Sequence, residues 1–145
     1  MITATKKFRF EMAHMLSNHP SLCKNVHGHS YILEVTACTT TKNTGDMVVD
    51  FSDLKNIVNN TVVNNMDHAF AYNVDTTDEC ELAIVDVLKK YGKKIVPFTG
   101  RPTAEVMCKE IYNKLSTNIQ SITNNYRLCK IRLYETESGW VEYAE

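Results

Sequence analysis

No charge of one sign dominates this chain. Lys and Arg number 16 and Asp and Glu 17, a formal net charge of −1. Nucleic-acid and membrane-surface binders present basic faces, so neither class is expected, and an anionic substrate must be held by local groups. No apolar run approaches the ~18 residues of a membrane span. Met1 to Lys7 leads straight into strand-like residues without the apolar stretch of a secretory leader. There is no Cys-x-x-Cys pair, and the five cysteines are odd in number and widely spaced. Both facts argue against a disulfide framework or a zinc ribbon, and a cytoplasmic location is expected. Cys38, Cys80, Cys108 and Cys129 fall on apparent apolar faces and are expected to be small buried side chains. Internal repeats and βαβ alternation are also lacking.

What is present is an ordinary globular composition, 43% hydrophobic and 23% charged, in a length that suits one domain over residues 1–145. Phe8, Phe10 and Met12 alternate with Arg9 and Glu11, and His14 continues the apolar parity. Tyr31, Leu33, Val35 and Ala37 give a second strand. Leu54, Ile57, Val58, Thr61 and Val62 follow helical spacing. A second helix is expected within 76–92. Asp78 and Glu81 have capping-box spacing there, and Cys80, Ile84, Val87, Leu88 and Tyr91 form an apolar stripe. Ile95 to Phe98 is a brief extended piece that Pro97 restricts to an edge. Thr103 caps a third helix. Cys129, Ile131 and Leu133 mark a third long strand, and Trp140 to Tyr143 a last one. The expected class is α+β, a four-stranded antiparallel sheet with helices on one face and two open edges.

The chemistry is concentrated in Cys23-Lys24-Asn25-Val26-His27-Gly28-His29. On a strand, side chains two apart share a face, so His27 and His29 can reach one metal ion while Gly28 allows a close approach on the other side. His14, ending the expected hairpin partner, is the best third ligand. Three imidazoles on zinc leave a fourth position open, the catalytic arrangement. Asp67-His68 pairs a carboxylate with an imidazole it could orient as a base, provided the backbone bends. Cys23 is a candidate thiolate. Glu105 stands in a helix's first turn, and Glu135 follows the third long strand on the face opposite Lys130, Arg132 and Tyr134. His19, beside Pro20, is read as a loop residue.

Phe10-Glu11-Met12-Ala13-His14, Cys23 with His27-Gly28-His29, Gly45 with Val49-Asp50-Phe51 and Leu54-Lys55, Met66-Asp67-His68, Asn73, Pro102-Thr103-Ala104-Glu105 and Glu135-Thr136 occur in this order. Together they resemble the 6-pyruvoyltetrahydropterin and 6-carboxytetrahydropterin synthase family nearly end to end. The resemblance implies the tunnelling fold, assembled as a hexamer of two trimers, and zinc on His14, His27 and His29. It implies Cys23, Asp67 and His68 as proton-transferring catalytic residues. It implies Glu135 as the anchor of a pterin ring, with Thr103 and Glu105 enclosing it. The implied substrate is 7,8-dihydroneopterin triphosphate, with Lys24, Arg101 and Arg132 as unranked partners for its triphosphate. Three residues separate Cys23 from His27, as in the carboxy enzymes of queuosine and 7-deazaguanine synthesis. The expected products are therefore a 6-carboxy pterin, acetaldehyde and triphosphate. The alternative is triphosphate elimination to a pyruvoyl pterin. A three-histidine hydratase or hydrolase indifferent to Cys23, and a zinc-stabilised binding module, are the readings outside this family. Two departures stand out: Met12 replaces a small residue, and 33 residues separate His68 from Pro102. The helix within 76–92 is expected to fill that long connection.

Overall fold

The computed structural model describes residues 1–145. β1 (Thr3–His14) and β2 (His27–Thr39) form a long antiparallel hairpin whose connection contains a 3-10 turn, Leu22–Lys24. The chain continues through α1 (Phe51–Val58), a wider π-helical turn (Asn59–Val63) and α2 (Asn64–Met66). Then come β3 (Ala69–Asn73), α3 (Glu79–Lys90), β4 (Ile95–Phe98), α4 (Ala104–Ile122), β5 (Tyr126–Tyr134) and β6 (Trp140–Ala144).

The sheet has six strands in the order β4-β3-β1-β2-β5-β6. This corrects the expected four-stranded antiparallel sheet. The two added strands are parallel, β3 to β1 and β4 to β3. α3 is the crossover between them, so a βαβ unit is present after all and fills the long connection. Its strands are short, and Ala69-Phe70-Ala71 is buried without alternation, the pattern of a strand covered on both faces, which periodicity does not distinguish from a helix segment. Pro97 does lie on an edge strand, where its missing N–H costs no ladder bond.

Alternation places Phe8, Phe10, Met12 and His14 of β1 on the helix-covered face beside Tyr31, Leu33 and Val35 of β2. Leu33 pairs with Leu133 and Val35 with Ile131. Leu54, Val58, Met107, Ile111, Leu115 and Ile119 close the core from the helices. Each such side chain contributes about 1.5–3 kcal/mol by leaving water. The sheet therefore holds the far ends of β1 and β2, where the histidines lie, on a well-packed base.

Two expectations about α3 and the cysteines are revised. Cys80, Val87 and Tyr91 are exposed, and the inward face of α3 is Glu81, Ile84, Val85 and Leu88. Cys38 and Cys129 are paired in a disulfide across β2 and β5, with Cα atoms 5.8 Å apart. They meet because the register slips between Thr36 and Ala37, leaving Cys129 as the extra residue of a bulge. Cys108 is buried as a free thiol.

Candidate active site

The β1–β2 register sets His14 directly opposite His27 and Met12 opposite His29. All three histidines thus share one face at one end of the hairpin, and β5 delivers Glu135 to the same place. The four side chains each offer a ligand atom within 4.8 Å of the others. Gly28 suits the close hairpin, because a Cβ there would stand a tight 3.2 Å from the Met12 carbonyl oxygen.

Hydrogen bonding fixes what these rings can do. His14 Nδ1 lies 2.8 Å from the Pro102 carbonyl and His27 Nδ1 2.7 Å from that of Asn25. A carbonyl only accepts, so each Nδ1 carries the proton and each neutral ring keeps its lone pair on Nε2. The two Nε2 atoms then face each other across 3.0 Å. Two lone pairs at that distance repel unless a cation or proton stands with them. His29 Nε2 is buried and makes no hydrogen bond, although Glu135 Oε1 sits off-axis 2.8 Å away. Three unprotonated or unpartnered Nε2 atoms converging beside a carboxylate, two of them oriented by backbone carbonyls, fit a divalent metal. Burial lowers the pKa of His14 to about 4, with the neighbouring rings acting the same way against the Pro102 bond. Burial likewise lowers that of His29, against the pull of Glu135. Both shifts favour the neutral rings that ligation needs.

Asp67 and His68 stand apart from this cluster. His68 has φ +63°, the left-handed region. That is the bend the pair needs, and it brings His68 Nδ1 to 3.0 Å from Asp67 Oδ2. Glu11 of β1 locks the turn from both sides. Its N–H donates to Asp67 Oδ1 at 2.9 Å, and its carbonyl accepts from His68 N–H at 2.6 Å. The Glu11 N–H, and after it the His68 ring, hold the Asp67 carboxyl below its usual range. The His68 ring is largely exposed and lines a cavity of about 330 Å³ with Gly28, Ser30 and Ala69.

Cys23 is half-buried in the 3-10 turn, its carbonyl accepting from Leu16 N–H at 2.9 Å. Within the chain it makes no hydrogen bond to Asp67 or His68. Thr103 caps α4 through Val106 N–H, and Glu105 in the helix's first turn is exposed. Glu105, Glu135, Thr136 and Trp140 border a cavity of about 310 Å³. Among the basic candidates, Arg132 is occupied by Glu142 and Glu34, Arg101 donates to the Ser17 carbonyl, and Lys24 forms no ion pair. His19 Nδ1 accepts from Ser21 N–H, a loop role.

Glu135 was expected only as a ring anchor; its contact with His29 depends on the β2–β5 register, which no local pattern reveals. In the sequence Tyr31 is simply one of the alternating strand residues. Its fully buried hydroxyl has no partner, and its ring meets His29 edge-on at 5.5 Å. No sequence signal separates it from its core neighbours.

A family model described as 6-pyruvoyl tetrahydropterin synthase matches residues 3–145. A Haemophilus influenzae protein named 6-carboxy-5,6,7,8-tetrahydropterin synthase is 39% identical, with 100% of both chains covered. An Aquifex aeolicus protein of the same name is 33% identical over 97% of this chain and 96% of its own. The solved structure of Caenorhabditis elegans 6-pyruvoyl tetrahydropterin synthase superimposes with TM-score 0.66 at 22% identity, covering 99% of this chain and 95% of that one. An uncharacterised Wolinella succinogenes protein reaches TM-score 0.77 at 17% identity over 99% and 98%. These two likenesses bear on the fold alone.

Proposed function

Because the chain belongs to the 6-pyruvoyl tetrahydropterin synthase family, we propose that it converts 7,8-dihydroneopterin triphosphate to 6-carboxy-5,6,7,8-tetrahydropterin. It is a lyase that consumes one water, whose oxygen completes the carboxylate, and releases acetaldehyde and triphosphate, on the route to queuosine and other 7-deazaguanines. Full-length relatives of that name at up to 39% identity support the choice of product. The observation that carries the chemistry is the pair of facing Nε2 atoms 3.0 Å apart beside His29 and Glu135.

In this reading His14, His27 and His29 hold zinc, which when bound supplies Lewis acidity to the oxygens of the pterin side chain. Glu135 accepts hydrogen bonds from the N–H groups of the heterocycle, the donors that make a partly enclosed carboxylate tolerable. Glu105 borders the ring's side of the cavity, and Thr103 helps enclose the pterin from the start of α4. Asp67 holds the His68 imidazole in one orientation, and His68 takes a proton from a side-chain carbon or hydroxyl. Cys23 moves the other proton as a thiol–thiolate couple. Lys24, next to Cys23, and Arg101 are the cations left to bind triphosphate, since Arg132 is already neutralised. The pterin synthase unit spans residues 1–145 and assembles as a hexamer in the cytoplasm. The free edges β4 and β6 support assembly, because uncovered edges invite pairing with another copy. No helix is long and apolar enough to cross a membrane.

Incubation with dihydroneopterin triphosphate tests the reaction. Acetaldehyde and triphosphate appearing in equal amounts are expected. Triphosphate without acetaldehyde would establish the pyruvoyl product instead.

A further inference from the structure

Glu81 is the only acidic side chain fully enclosed by the fold, 1% exposed. A buried carboxylate costs several kcal/mol unless its lone pairs are satisfied. Here neutral donors from three separate places satisfy them. Asn73 N–H, at the end of β3, donates to Oε1 at 2.9 Å. Thr76 Oγ1 donates to Oε2 at 3.0 Å, and Ser17 Oγ donates to the same oxygen. The Glu81 N–H is capped by Asp78, so the side chain is free to serve the tertiary structure and not its own helix end.

Each partner leads to the site described above. Ser17 belongs to the loop between β1 and β2; its carbonyl accepts from the Arg101 guanidinium at 3.4 Å, and the adjacent Leu16 N–H holds the Cys23 carbonyl at 2.9 Å. Asn73 turns its own side chain to the other loop: Oδ1 accepts from Gly100 N–H at 3.2 Å and from Asp75 N–H at 3.0 Å. Two residues beyond Gly100, the Pro102 carbonyl fixes His14 Nδ1. The loop carrying Cys23 and the loop that orients His14 are thus tied to one carboxylate at the start of α3.

We propose that Glu81 is a positioning residue. From the α3 crossover it sets the placement of the Cys23 thiol and, through Asn73 and the 99–103 loop, the orientation of the His14 imidazole. This rests on the roles given to Cys23 and His14 above. It assigns a purpose to the long connection after His68, which carries Glu81.

The test compares Glu81→Gln, Glu81→Ala and Val85→Ala in a Cys80→Ser background. There Cys23 is the accessible thiol, since Cys108 is buried and Cys38 is paired with Cys129. Val85 packs with Met15 and Phe70, so its truncation loosens the same unit while leaving the polar bonds in place. The readouts are the rate of Cys23 alkylation by iodoacetamide and zinc affinity by chelator competition, both without substrate and well below each Tm. The kcat and KM follow separately. Glu81→Ala should shift the alkylation rate and weaken zinc binding about 10-fold or more, and lower kcat far more than it raises KM. Glu81→Gln keeps the acceptor for Asn73 and should move the same readouts in the same direction by about 3-fold. Val85→Ala should lower Tm alone. A folded Glu81→Ala protein with unchanged alkylation and zinc affinity would overturn the proposal, as would Val85→Ala moving both equally. If the alanine variant does not fold, Glu81→Gln decides, and unchanged behaviour there overturns it. Loss of the reaction assignment would show differently, as full turnover by Cys23→Ala, and the substrate-free readouts would still judge Glu81.

Discussion

Lowering the pH should destabilise the metal-free protein through His14 in a way that can be worked from its surroundings. The side chain is fully buried and its pKa falls from the ordinary 6.5 to about 4. Between those values the unfolded ring binds a proton and the folded ring does not, so stability rises with pH across the window and falls as acid is added. At ~1.36 kcal/mol per pKa unit the full effect is about 3 kcal/mol, reached below pH ~4. Between pH 7.5 and 5.5 the loss attributable to His14 is roughly 1.3 kcal/mol by the same relation. His29, shifted in the same direction, adds to the total, so the comparison is between wild type and His14→Gln. Urea unfolding in EDTA, followed by circular dichroism at the two pH values, measures both. The wild type should lose more stability than the variant by about that amount. Equal losses, or a wild type more stable at pH 5.5, would refute a neutral buried His14.

Leu33, fully buried opposite Leu133, should cost about 2–5 kcal/mol when cut to alanine, read as a lower urea midpoint with unchanged slope. Cys23→Ser should abolish acetaldehyde release while zinc content stays at the wild-type level, because the thiol lies outside the cluster of ligand atoms.

Much of this molecule is written in its periodicities. The alternation ending at His14 and the His-x-His spacing put three rings on one face, and the Thr103 cap starts α4 where expected. Other features depend on contacts between distant segments. Ala69-Phe70-Ala71 has no alternation to announce β3. Cys38 and Cys129 are 91 residues apart and meet only through a bulge. The Glu135–His29 contact needs the β2–β5 register. Glu81 matched a capping box in sequence, yet its side chain reaches Ser17 and Asn73, a destination set by the packing of α3 over the sheet. Asp67-His68 is legible as a pair, but the left-handed turn that joins its carboxylate to its imidazole is set by Glu11 of β1.

The facing imidazoles make the strongest demand of the structure, and elemental analysis of the purified protein after zinc loading and desalting answers it most directly. About one zinc ion per chain is expected for the wild type and close to none for His27→Ala, since removing one ligand of three collapses a catalytic-type site. A wild type that retains no zinc, or a His27→Ala protein that retains all of it, would contradict a metal centre at His14, His27 and His29.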